Sequence, residues 1–130
     1  MKVFVYFNLH KHMFSVKALE GENKGKVVAH RLFVVLQDAT FKVSEAGRQR
    51  VLREQRKNVH AGVVGIWHDD NLTPRACELA STLYPRVSYN PYKGDGFVVC
   101  GTGAAMKESP FVFLRADNAE GRGYIFAVTP

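Results

Sequence analysis

The sequence predicts a single α+β domain with a mainly antiparallel β-sheet and two helices. Its 130 residues, 46% hydrophobic and 23% charged, have the size and balance of one globular domain spanning residues 1–130. Short β-type runs cluster before and after two helical stretches. Strand and helix do not alternate regularly, as they would in a parallel sheet, so antiparallel pairing is expected.

The first 43 residues have the pattern of β-strands. Two short runs, 2–8 and 12–19, flank a polar turn and predict an opening hairpin. The region 26–43 is long for one strand. Its apolar pattern is interrupted near His30-Arg31 and again at Gln37-Asp38, so two or three strands are expected there.

Two helices are predicted in the middle of the chain. Ser44 and Glu45 offer an N-cap and a favourable first-turn charge to a helix over 45–57. Pro74, at a first helical position, begins a second helix over 74–84, where apolar residues recur at helical spacing. The other strands are expected at 62–67, 86–89, 96–100, 111–114 and 123–128.

Several classes of protein are excluded by composition. The longest apolar run, 32–36, is far shorter than the ~20 residues that cross a bilayer, so no membrane segment is predicted. The apolar start of the chain lacks the small-residue cleavage site of a signal peptide, which favours a cytoplasmic protein. Cys77 and Cys100 have no CxxC spacing and are expected to be reduced core residues.

The first predicted helix is strongly basic. Segment 45–58 contains five cations and two acids, and this excess is half of the chain's net charge of +6. Arg48 projects in a direction of its own, and its role is structural if it pairs with a carboxylate. On a helical wheel, the remaining cations fall within one arc of about 120°: Arg50, Arg53, Arg56 and Lys57.

Two interpretations of this basic face are open. Solvated arginines improve helix propensity and solubility without binding a ligand. Alternatively, the face binds phosphate groups, because arginine outnumbers lysine four to one in the segment and its planar fork suits bidentate recognition. An acidic protein surface would satisfy the same geometry, so the face specifies the sign of the partner's charge and not its identity.

Histidine and tyrosine residues supply further candidates. His60 follows the basic helix, where it either completes an anion site or is a satisfied structural histidine. Tyr92, beside Lys93, either stacks on a base or covers the sheet edge at a turn. His10 and His12 lack further ligands close in sequence, so no metal and no cofactor is predicted.

The same residue types are candidates for metal-free phosphodiester cleavage. No spacing among them specifies such chemistry, so binding is preferred to catalysis and no catalytic residue is assigned. The candidate acids and bases are His10, His12, His60, Tyr89 and Tyr92.

Four segments have a distinctive sequence: KVFVYFNLHK at 2–11, ALEG at 18–21, KVSEAGRQRVLREQRKNVHAG at 42–62 and YNPY at 89–92. Together they resemble a family of small uncharacterised tailed-bacteriophage proteins, and the resemblance covers residues 1–97. The family implies no particular activity. It implies a phage or prophage setting inside a bacterial cell, where small basic proteins often act on nucleic acid, nucleotide signals or host defence complexes.

We therefore expect a phage accessory protein in the host cytoplasm that binds an anionic nucleic acid or nucleotide, in host takeover or anti-defence. The alternatives are an inhibitor that binds a bacterial host or defence protein directly, and a metal-free ribonuclease or phosphodiesterase. Edge strands also favour a homodimer. The residues expected to bind phosphate or another anion are Arg50, Arg53, Arg56, Lys57, His60 and Tyr92.

Overall fold

The computed structural model describes residues 1–129. These residues form nine strands and two helices in the predicted α+β arrangement. In chain order they are β1 (Lys2–Asn8), β2 (Met13–Ala18), β3 (Val27–Arg31), β4 (Phe33–Val43), α1 (Glu45–Glu54), β5 (Ala61–His68), α2 (Thr73–Leu83), β6 (Arg86–Ser88), β7 (Val98–Val99), β8 (Glu108–Asp117) and β9 (Arg122–Ala127).

All nine strands belong to one sheet in the order β3-β2-β1-β5-β4-β8-β9-β6-β7, and every neighbouring pair is antiparallel. The antiparallel sheet predicted from the sequence is thereby confirmed. The region 26–43 forms two strands with one break at Leu32. At the second interruption the strand continues through a bulge, where Asp38 has a φ of 51° and the register shifts between Gln37 and Thr40.

The hydrophobic core lies on one face of this sheet, which curls so that the face packs against itself. Alternate residues of each strand point to this face, among them the fully buried Val3 and Val5 of β1. Strand β9 reaches the opening hairpin: a Cβ atom at Gly123 would lie 2.7 Å from ring atoms of both Phe7 and Phe14. Only glycine leaves room for that contact.

Helix α2 covers the opposite, outer face of the sheet. Its buried residues include Cys77, whose Sγ lies 3.5 Å from the carbonyl oxygens of Val34 and Leu114 on two neighbouring strands. The ring of Tyr84, just after the helix, stacks on Phe113 of β8 at 5.7 Å. Neither helix within residues 1–129 has the length and hydrophobicity needed to cross a membrane.

Helix α1 is shorter than the predicted 45–57. The Ser44 side chain accepts a hydrogen bond from the Gly47 N–H at 3.2 Å, which confirms the predicted N-cap. The helix ends at Glu54 because Gln55 takes a left-handed conformation, with φ at 53°, and donates its N–H to the Val51 carbonyl. The single 120° arc expected for four cations is therefore wrong for the two that follow the helix, Arg56 and Lys57.

At Gly62, strand β5 packs closely against β1. A Cβ atom there would overlap the Val5 carbonyl oxygen and would lie 2.6 Å from the Phe4 ring. Because a backbone oxygen cannot swing aside, Gly62→Ala is expected to lower the free energy of unfolding by about 1–3 kcal/mol. Urea unfolding with Gly96→Ala as the control measures this, since nothing lies within 4 Å of a Cβ atom at Gly96. Equal losses in the two variants would contradict the prediction.

Candidate functional site

A groove opens where the pairing of β6 with β9 stops. The two strands share only two register pairs, Arg86 with Phe126 and Val87 with Ile125. Beyond these pairs the chain separates into residues 88–92 on one side and residues 121–124 on the other. The space between them is a groove of about 1100 Å³, here called the open groove.

The floor of the open groove is apolar. It consists of core side chains on the inner face of the curled sheet, including a pair of phenylalanines, Phe7 and Phe14, in edge-to-face contact at 5.3 Å. A planar apolar group entering the groove would therefore meet hydrophobic side chains rather than water. The floor residues include Val5, Phe7, Phe14, Val63, Leu114 and Ile125.

The rim of the open groove is polar and mainly positive. Three permanent cations, Lys57, Arg86 and Arg122, line it together with one carboxylate, Glu120. The Glu120 carboxylate accepts a hydrogen bond from the Tyr124 hydroxyl at 3.1 Å. Cations thus outnumber carboxylates at the rim, and all three are exposed.

His60 and Tyr89 form a closed hydrogen-bonded pair inside the rim. The Tyr89 hydroxyl and His60 Nε2 are 2.7 Å apart, and His60 Nδ1 lies 3.1 Å from the Asn58 side-chain oxygen. Burial raises the pKa of Tyr89, so its hydroxyl keeps its proton and donates to Nε2. The Asn58 oxygens can only accept, which assigns the imidazole proton to Nδ1. Both ring nitrogens of His60 are therefore engaged.

Arg48 fixes the loop that carries Tyr92. Its Nε donates to the carbonyl oxygens of Pro91, at 3.2 Å, and Gly94, at 2.9 Å. Its Nη1 also lies 3.0 Å from the Glu45 carboxylate. Hydrogen bonds from Gln49 and Arg48 hold the pKa of that carboxyl below its usual value. Arg48 is structural, the outcome expected if it paired with a carboxylate.

The comparisons with known proteins agree with the phage origin that the sequence resemblance implies. Residues 1–122 match the family model described as Mycobacterium phage L5 gene 82 protein. The chain belongs to this family. The gene 82 protein of Mycobacterium phage L5 is 40% identical to it over 125 residues, covering 88% of this chain and 90% of that protein. No solved structure matches the chain.

The family membership confirms the resemblance to uncharacterised phage proteins and extends it beyond residue 97. The model of the gene 82 family reaches residue 122 and so includes strand β8 and the start of β9. The polar side of the open groove formed by Glu120 and Arg122 therefore falls within the family match.

Among the six residues predicted to bind anions, three line the open groove of this gene 82 family member: Lys57, His60 and Tyr92. The other three, Arg50, Arg53 and Arg56, are exposed on α1 or just beyond it and do not line the groove. Neither of the two ion pairs found in residues 1–129 involves them.

Four polar residues of the rim were missed by sequence reasoning: Arg86, Glu120, Arg122 and Tyr124. Arg122 lies between two glycines, a composition typical of a hairpin turn. The available signal was its period-two spacing from Tyr124, which places both side chains on one face of a strand. No local pattern links Arg122 or Tyr124 to Lys57 or Tyr92, because only the order of the strands in the sheet brings them to one groove.

The two cysteines have different environments. Cys77 is fully buried, and desolvation raises the pKa of its thiol to about 11. Burial alone would also raise the pKa of Cys100, but hydrogen bonds with Ser88 and Arg86 and the charge of Arg86 outweigh it, so its pKa is lowered. The Arg86 Nε lies 3.5 Å from the Cys100 Sγ. The predicted core position is confirmed for Cys77, whereas Cys100 is only partly buried.

We predict selective alkylation of Cys100 in the folded protein. A lower pKa leaves more thiolate at a given pH, so iodoacetamide should modify Cys100 at neutral pH while Cys77 stays unmodified. Arg86→Gln removes a hydrogen bond and a positive charge, so it should shift the alkylation profile of Cys100 to higher pH. Peptide mass mapping over a pH series measures both effects. An unchanged profile in Arg86→Gln, with Lys24→Gln as the charge-matched control, would contradict the prediction.

Proposed function

We propose that this phage protein binds a nucleotide or nucleic acid, with a base in the open groove and phosphates at its rim. The observation that carries the proposal is the union, in one groove, of an apolar floor and a rim with a cationic excess. Nucleotides have the same division, because a flat aromatic base is joined to a charged phosphate.

The charge distribution supports phosphate as the anion. Lys57, Arg86 and Arg122 line the groove from three different segments of the chain. The Arg86 and Arg122 side chains lie on the outer face of the sheet beside this opening. Arginine and lysine side chains bind phosphate through charge-assisted hydrogen bonds. Further positive charge lies nearby along α1 and the turn after it, where it would raise the local concentration of a polyanion. The residues that supply it are Arg50, Arg53 and Arg56.

Tyr92 supports recognition of a base. Tyr92 is 60% exposed and lines the groove, and hydrogen bonds order the backbone that carries it. The Tyr92 N–H donates to the Asn90 side-chain oxygen at 2.9 Å, and the Lys93 N–H donates to the Asn90 carbonyl at 3.0 Å. A ring presented in this way loses little conformational entropy when a base stacks on it.

The His60–Tyr89 pair supports binding in preference to cleavage. A general base needs a free nitrogen close to the hydroxyl that it activates. Both nitrogens of His60 already have partners, and Tyr89 keeps its proton. We infer that His60 contributes to the site by fixing the Tyr89 ring. In an infected cell, binding of this kind would serve host takeover or anti-defence.

Neutralising the groove cations should weaken binding. We expect Lys57→Gln combined with Arg122→Gln to lower the affinity for single-stranded RNA about a hundredfold or more, since hydrogen bonds to charged groups contribute about 1.5–3 kcal/mol each. The dependence of affinity on salt should also become shallower by about 0.7 per lost phosphate contact on a log-log plot. Fluorescence anisotropy with labelled RNA, duplex DNA and cyclic nucleotides measures both quantities.

A charge-matched control separates specific contacts from net charge. Lys24→Gln with Lys26→Gln removes the same charge from the turn before β3, outside the open groove, and should change affinity much less. Equal losses in the two double variants would refute a phosphate site at the rim. If the native chain binds none of these ligands at low salt, the proposal fails, and an acidic host protein becomes the partner to seek in nuclease-treated lysate.

Stacking of a base on Tyr92 predicts a second loss of binding affinity, which does not depend on salt. Tyr92→Ala should weaken binding of single-stranded RNA by about 1–3 kcal/mol, whereas Tyr92→Phe keeps the aromatic face and should bind like the native chain. Anisotropy titrations at two salt concentrations distinguish this effect from the charge effect. Full affinity in Tyr92→Ala would exclude Tyr92 as a stacking platform.

A further inference from the structure

Strand β9 carries positive and aromatic side chains on the outer face of the sheet. Gly123 faces the core pair Phe7 and Phe14, so its neighbours Arg122 and Tyr124 point the other way. Arg115 is paired with Tyr124 across β8 and β9 and shares its face. Arg86 is paired with Phe126 and also lies on this outer face.

Tyr124 holds two guanidinium groups over its ring. The Arg86 and Arg115 Cζ atoms lie 5.8 and 5.6 Å from the ring centroid. Stacking of this kind fixes the guanidinium plane and leaves its edge N–H groups able to donate to an anion. Neither ion pair in residues 1–129 involves these arginines or Arg122. We call these residues the outer arginine patch: Arg86, Arg115, Arg122 and Tyr124.

The outer arginine patch is continuous with the open groove. Arg86, Arg122 and Tyr124 line the groove mouth, whereas Arg115 does not and lies farther along the outer face. Cations therefore extend from the groove across β9 to Arg115 on β8. A single nucleotide in the groove would leave Arg115 without a phosphate, but a longer chain leaving the groove would pass it.

We propose that the ligand is a single-stranded nucleic acid whose chain continues from the open groove across the outer arginine patch. This inference rests on the proposed function. A single strand fits because its unpaired bases can turn into an apolar groove, whereas the bases of a duplex are stacked and paired. The patch binds the phosphates of the nucleotides that lie outside the groove.

A length series tests the inference through Arg115, which lies outside the groove. Oligonucleotides from two to about sixteen nucleotides are titrated against the native chain, Arg115→Gln and the control Lys24→Gln. Native affinity should rise with length. Arg115→Gln should bind the longest strands about tenfold more weakly and the dinucleotide as tightly as the native chain does. For long strands, the slope of log affinity against log salt should be shallower by about 0.7. Lys24→Gln should follow the native chain at every length.

The outcomes separate this inference from the proposed function. If affinity is the same for all lengths and Arg115→Gln binds normally, the inference is overturned while binding in the groove stands. Tighter binding of duplex DNA than of a single strand of equal length also overturns it. Absence of binding at every length removes the proposed function as well. Circular dichroism confirms that Arg115→Gln is folded, so a loss of affinity reports the contact.

Discussion

The contact of Gly123 with Phe7 and Phe14 is the constraint on which the molecule depends. Two ends of one sheet meet there, because β9 is four strands away from β1 in the sheet order. Without a side chain at 123, the two phenylalanine rings can lie against the β9 backbone. The inner face then becomes the hydrophobic core. A flat sheet of these strands would leave that apolar face in water.

The same curl also explains why a groove exists. Strand β9 follows β8 over its full length but follows β6 for only two residue pairs. The chain after β6 is drawn away instead, because Arg48 binds two carbonyl oxygens of the following loop. The core is therefore incomplete on one side, and its floor residues can meet a ligand. An arginine on α1 thus shapes the groove without lining it.

The sequence predicted what depends on local pattern. Hairpin strands, the Ser44 cap and the Pro74 start of α2 follow from alternation, capping chemistry and fixed backbone angles, and all are present. The end of α1 was missed because neither glycine nor proline marks it. Gln55 adopts a left-handed backbone conformation, which is unusual for a residue other than glycine, so the sequence pattern alone favoured a longer helix.

The open groove could not be predicted in the same way. Lys57, Tyr92 and Arg122 lie in three segments far apart in sequence, and only the order and register of the strands bring them to one opening. The basic segment was evident because its charges are consecutive. Arg122 was not, because a lone arginine between glycines has the composition of a turn.

The division of roles within the site follows from how each group is held. Groups held by several hydrogen bonds, such as His60 and Arg48, are suited to fixing geometry, because a new partner would have to replace an existing bond. Groups that are exposed and outside the ion pairs, such as Lys57 and Arg122, gain most from an incoming anion. Tyr89 also fixes geometry, because burial raises the pKa of its hydroxyl, which keeps its proton and its bond to His60. An apolar interior and a charged, exposed rim suit a ligand whose apolar part enters first and whose charge stays at the surface.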